Sequence, residues 1–156
     1  MTIRKTLHSA AAGLMALGAV AFTLPFVAAT SAVAQEAVEV WKSPSCGCCT
    51  GWVRHMQSAG FAVTVHDVDD VQPMKDMAGV PDQYASCHTA RVAGYTIEGH
   101  VPASDIRRLL AERPKARGLS VPGMPADAPG MDGRSGEPYS VVLFGAEGGD
   151  KVFARH

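Results

Sequence analysis

Apolar and polar positions along the chain divide it into short elements. "AVEVWK" (37–42), rich in Val and Trp, predicts a first strand. "SPS" (43–45) supplies turn and helix-start chemistry. Beyond it Cys49, Trp52, Val53, Met56 and Ala59 recur at helical spacing on one face, and Gly60 is placed to end that helix. "FAVTVHDV" (61–68) alternates as a second strand. Strand, turn, helix and strand make a βαβ unit. Its turn is "SPSCGCCTGW", which places three cysteines within four positions.

Later stretches read less regularly. "VQPMKDMAG" predicts a short helix from near Pro73, with Met74 and Met77 on one side as packing residues. "SCHTARVAGYTIEGHV" reads as two short strands joined at Ala93–Gly94. "ASDIRRLLAERP" predicts a helix with an apolar stripe of Ile106, Leu109 and Leu110, capped by Ser104 and stopped by Pro114. Residues 118–138 form a long Pro- and Gly-rich loop, and long loops of this kind are usually functional or disordered. Two strand-like runs around "AEGG" then predict a C-terminal hairpin. This order predicts an α/β, thioredoxin-like fold: a central mixed sheet flanked by helices, with the Met-bearing Pro/Gly-rich loop inserted before the hairpin. In that architecture Val121–Pro122 packs beside the cysteine turn, and the loop carries Met124 and Met131 towards Cys46–Cys49.

The first 34 residues are expected not to belong to the fold. Arg4 and Lys5 precede the apolar run "GLMALGAVAFTLPFVAA", and Ala32 and Ala34 match the A-x-A cleavage pattern of a secretory signal peptide. The run approaches the length of a membrane span, but Pro25 and the cleavage pattern favour export. Residues 35–156 are then expected to form a single exported thioredoxin-like domain, with no membrane attachment after cleavage. Cleavage makes the formal charge of −1 two units more negative. No basic block or aromatic-interleaved stripe remains, which excludes nucleic acid as the expected partner. A chain of this size buries a real core without disulfide staples, so its four cysteines are not needed to hold it together; a disulfide framework among three such close cysteines would be awkward.

Three thiols at the start of a helix are easily deprotonated, because unpaired N–H groups and the helix dipole favour thiolate. Thiolates this close repel one another unless a cation or a disulfide relieves them. Soft thiolate and thioether donors favour Cu(I), and mixed Cys and His suit zinc. Met124 and Met131, in a loop of Pro, Gly and Asp, have no helix or strand face to bury into, which points to ligands. Met56 belongs to the core stripe instead. Cys87 and His88 are adjacent, so both can serve one site only at a bend or strand end; Cys87 is alternatively a small core residue. His100, beside a proline turn, reads equally as ligand or structural hydrogen-bonder. His55 on the solvent side of the first helix, His66 at a strand end and His156 in the tail are assigned no site role. There is no G-x-S-x-G, Walker loop, H-E-x-x-H or calcium loop.

"SPSCGCC.GW", "SCHTA", "YTIEGHVP", "GLSVPGMP" and "PGM", in this order from about Val38 to the C-terminus, resemble the CopG-like periplasmic copper-resistance family. The resemblance implies a thioredoxin-like fold, copper binding at the cysteine turn and a role in copper tolerance. Cys46, Cys48, Cys49, Cys87, His88, His100, Met124 and Met131 match its motif positions and form the expected metal set. A third cysteine is useful if thiolates bridge several Cu(I) ions. The expected function is therefore Cu(I) binding in copper homeostasis, with interconversion of Cu(I) and Cu(II) as a copper oxidoreductase activity left open. Copper ions and other periplasmic copper-handling proteins are the expected partners. Two other readings stand beside it. One is a metal-free thiol–disulfide oxidoreductase using Cys46 and Cys49. The other is an interaction module held by structural zinc or disulfides.

Overall fold

A computed structural model describes residues 36–156; the signal peptide expected over 1–34 lies outside the described residues. Strand β1 (Ala37–Lys42) runs parallel to β2 (Ala62–Asp67), with helix α1 (Gly47–Ser58) as the crossover between them. Val38 and Val40 are buried on β1, and α1 covers that layer with Trp52, Val53 and Met56. Helix α2 (Gln72–Ala78) ends at Gly79, whose φ of 65° is the left-handed conformation that closes a helix. A single 3-10 turn (Asp82–Tyr84) leads to β3 (Thr89–Val92) and β4 (Tyr95–Glu98), a hairpin turned at Ala93 and Gly94. Helix α3 (Ala103–Glu112), β5 (Gly118–Ser120), β6 (Ser140–Phe144) and β7 (Lys151–Arg155) complete the chain. The seven strands form one mixed sheet in the order β2-β1-β3-β4-β5-β6-β7.

Register decides where the site lies. Trp41 pairs with Thr89, Thr89 with Glu98, and Glu98 with Ser120. The end of β1, the start of β3 and the ends of β4 and β5 therefore line up at one end of the sheet. The chain leaves that end as the cysteine turn, the "SCH" segment, "GHVP" and the Val121–Pro122 loop.

Four local expectations change. Gly118–Ser120, expected as the start of a loop, is a central strand between β4 and β6. Three residues are too few to show an alternating pattern, and all three are buried. Met77 is 64% exposed rather than packed, because α2 turns Lys75 and Ala78 inward. His156 is not a free tail: its Nε2 lies 2.7 Å from Asp105 Oδ2, and its ring stacks on Tyr139.

The fourth concerns the start of α3. Ser104 lies inside the first turn and Pro102 precedes it with no side-chain cap. The orphan N–H of Ala103 instead donates to His55 Nε2 at 3.0 Å, so His55, expected on the solvent side of α1, caps a neighbouring helix. Partial burial lowers the pKa of His55 below its ordinary value. The unfolded chain therefore takes up a proton first as pH falls through about 6.5, and the stabilisation from His55 is present above that pH and lost below it. His55→Ala is expected to cost about 1 kcal/mol at neutral pH, the usual worth of a helix cap. Urea midpoints of wild type and variant should differ above neutrality and converge under acid conditions. A gap constant with pH would rule out neutral His55 as the cap.

Candidate metal centre

Cys46 is the N-cap of α1, and its Sγ accepts the Cys49 N–H at 3.3 Å. Cys48 sits in the first turn with its Sγ 3.5 Å from Cys46 Sγ. Cys46 and Cys49 are joined as a disulfide, while Cys48 and Cys87 are free thiols. The fourth sulfur comes from the opposite wall of the sheet end. The Sγ atoms of Cys46, Cys48, Cys49 and Cys87 all lie within 4.8 Å of one another.

Cys87 also belongs to a second group. Its Sγ is 3.4 Å from His88 Nδ1 and 3.0 Å from His100 Nε2. The two imidazoles meet edge to face at 5.0 Å between centroids. Cys87 and His88 serve one place because they lie just before β3 begins, at a bend where the alternation of a strand does not apply. His100 Nδ1 is 2.7 Å from the Pro129 carbonyl oxygen, which can only accept, so the proton sits on Nδ1. The lone pair of Nε2 then faces Cys87.

Burial sets the charge states. His88 is fully buried, and burial, then the proximity of His100, then the Lys75 charge, hold its pKa well below the ordinary value. Burial likewise lowers that of His100. Both rings are neutral at pH 7, the form a metal requires. Burial and then the neighbouring Cys48 push the Cys87 thiol up to about 12. Without a cation Cys87 therefore stays protonated, and a metal binding there must displace the proton.

The centre is held together by residues that no metal-ligand pattern names. Trp52 donates its indole N–H to Val101 O at 2.9 Å and lays its ring 4.5 Å from that of His88, tying α1 to the segment after His100. The loop between β5 and β6 meets α1 where Gly130 lies against Gly51. A Cβ on Gly51 would lie 2.6 Å from Gly130 O, so only hydrogen at both positions permits this approach. The sequence signal of that contact is the element order that carries the loop and its second "PGM", at 129–131, towards the cysteine turn. The contact places Met131 in the wall of a 510 Å³ pocket shared with Cys48, Arg54 and Asp132. Met124 is 59% exposed and does not line that pocket. The structure thus brings together Cys46, Cys48, Cys49, Cys87, His88 and His100; Met131, expected to have no face to bury into, packs partly buried against the core and lines the same pocket as Cys48, and Met124 stands outside.

The donor set fits a soft metal. Once the Cys46–Cys49 disulfide is reduced it offers four thiols beside two neutral imidazoles, and His88 Nε2 is a buried nitrogen with no hydrogen-bond partner. These features define an α/β protein with a cysteine–histidine centre built over the N-terminus of a helix. Residues 84–131, from just before Cys87 through Met131, match the family model described as a protein of unknown function, DUF411. Two solved structures of copper resistance protein CopG are similar over nearly their whole length. Form 2 is 40% identical, with a TM-score of 0.72 and coverage of 78% of this chain and 98% of its own. Form 1 is 40% identical, with a TM-score of 0.70 and coverage of 77% and 96%. No curated protein matches the chain. The chain belongs to the CopG-like copper-resistance family.

Proposed function

We propose that this chain is an exported, periplasmic copper-resistance protein on a thioredoxin-like scaffold. It holds Cu(I) as cargo in a thiolate-bridged site of more than one ion, with Cys46, Cys48, Cys49, Cys87, His88, His100 and Met131 as donors. One observation carries the reading: Cys87 is common to the four-sulfur group and to the Cys–His–His group. A thiolate shared between two donor sets bridges two ions without further sulfurs. The 40% identity to CopG over most of the chain supports copper as the metal, and the leader pattern of residues 1–34 supports export. Among the described residues no helix is long and apolar enough to cross a membrane. Oxidation of the Cys46/Cys49 pair to the disulfide releases two electrons and two protons. That is the balance needed to reduce two Cu(II) to two Cu(I), which supports a part in copper interconversion.

The Cys46–Cys49 disulfide also favours the second reading, a metal-free thiol–disulfide oxidoreductase. Copper content with a free-thiol count, on mature protein from copper-fed cells handled without oxygen, separates the two. About two or more coppers per chain, with thiols blocked until a chelator removes the metal, supports the copper reading. Copper-free protein with Cys46 and Cys49 joined in the peptide map refutes it.

The methionines discriminate further. Met131→Leu is expected to weaken Cu(I) binding at least about tenfold, since even a lost supporting group costs a metal site that much. Met124→Leu should leave it unchanged, because that side chain stands in solvent. Competition against a chromophoric Cu(I) chelator reads both. Equal losses would place Met124 at the centre as well.

A further inference from the structure

Behind the centre lies a buried charge network that ligand chemistry does not require. Glu98 ends β4, is fully buried, and sits opposite Thr89 across the hairpin. Its Oε1 accepts from Lys75 Nζ at 2.5 Å and from the Ser86 N–H at 2.6 Å. Its Oε2 accepts from Thr89 Oγ1 at 2.7 Å, and Lys75 Nζ donates to the same hydroxyl oxygen at 3.2 Å. One carboxylate therefore grips the chain at Ser86 and at Thr89, the residues on either side of Cys87–His88. Two positions beyond Glu98 comes His100, and between them the Gly99 N–H donates to His88 O at 2.9 Å.

Stability alone is a poor reason for this network. A buried ion pair costs desolvation that its attraction barely repays, and apolar residues of similar volume commonly replace one without loss. Its geometry, by contrast, answers a specific need. Residues 85–88 have no helix or strand to fix them, yet they must aim a thiol and an imidazole at one point.

We propose that Glu98 is the positioning residue for Cys87 and His88, acting through Ser86 N–H and Thr89 Oγ1, with Lys75 as the partner that holds its carboxylate in place. The role rests on the copper reading for what is positioned, but the clamp is a property of the metal-free chain as well.

Two double variants isolate it. Lys75→Met with Glu98→Gln removes the ion pair but keeps an oxygen for Ser86 N–H and an amide for Thr89. Lys75→Met with Glu98→Leu removes the pair and both grips. Each is assayed in two ways. One is Cu(I) affinity by anaerobic chelator competition; the other is the rate of Cys87 alkylation by N-ethylmaleimide in reduced, metal-free protein, resolved by peptide mapping. The leucine double should fold, lose about 10- to 100-fold in Cu(I) affinity, as lost metal-site supports do, and alkylate Cys87 about tenfold faster. The glutamine double should stay close to wild type in both assays. If the two doubles behave alike, Glu98 is only half of a structural ion pair and the proposal is overturned. If wild type binds no Cu(I) but the alkylation difference holds, the copper reading fails and the clamp stands. Should the leucine double not fold, Thr89→Val decides, since it keeps the charge pair: faster Cys87 alkylation supports the clamp, and a wild-type rate overturns it.

Discussion

Cys87→Ser is expected to remove more copper than any other single cysteine replacement. Cys87 is the one residue in both donor groups, with its Sγ 3.0 Å from His100 Nε2 and within 4.8 Å of the three helix-start sulfurs. Serine keeps the shape but offers a hard, protonated oxygen to a soft ion. The two imidazoles then lose their bridge to the thiols, and the site is cut into a three-sulfur part and a two-nitrogen part. Loss of affinity should reach at least about 100-fold, because even groups that only support a ligand cost 10- to 100-fold. Copper per chain should fall together with affinity, since in the proposed site that sulfur is shared between two ions. Cys48→Ser makes the control: Cys48 lines the open pocket and belongs to one group only, so its loss should be smaller. Protein must be fully reduced first, because the Cys46–Cys49 disulfide withholds two of the four sulfurs. Chelator competition with metal analysis reads the pair of variants. An equal or greater loss in Cys48→Ser would mean that the two groups are not joined at Cys87. Neither variant should disturb the fold, because Cys87 is half-buried and serine takes up its volume.

What the sequence revealed and concealed follows the same physical division. Local chemistry was legible. The apolar stripe on α1, the hairpin turn at Ala93–Gly94 and the cysteines at a helix start each depend on neighbours a few positions apart, and each appears as expected. Adjacent residues can face one point only at a bend or strand end, and Cys87 lies at such a bend before β3. Contacts between distant segments were not legible. Nothing about Lys75 and Glu98, 23 positions apart, distinguishes them from surface charges until burial brings Nζ to the carboxylate. His55 looked solvent-facing because helical periodicity describes one helix, and its partner is the N–H of another. The two loop methionines occupy nearly identical "PGM" contexts, so composition ranked them equally. A backbone contact separates them.

That contact makes Gly130→Ala the second large effect. Gly130 has a φ of 87°, which a residue with a Cβ rarely adopts, and the added carbon would lie 2.8 Å from Cys48 O and against Trp52 N. None of these atoms can yield cheaply, since all belong to the first turns of α1 or to the loop backbone. The loop must therefore lift from the helix. Two parts of the centre go with it: Met131 in the pocket beside Cys48, and the Pro129 carbonyl that fixes the proton on His100 Nδ1. With that acceptor gone, the imidazole is free to turn or change tautomer, and Nε2 no longer faces Cys87. The cost to folding is expected at about 2–3 kcal/mol, the range for strain at a special backbone conformation combined with overpacking. Copper affinity should fall further than in Met131→Leu, because two supports are lost at once. Gly123→Ala is the matched control: φ is again positive at 67°, but nothing lies within 4 Å of the added carbon. It bears the conformational strain without the collision, so it should lose stability and keep its copper. Urea midpoints and Cu(I) competition on the two variants separate strain from loop displacement. Equal copper loss in both would show that the approach of Gly130 to α1 contributes nothing to the centre.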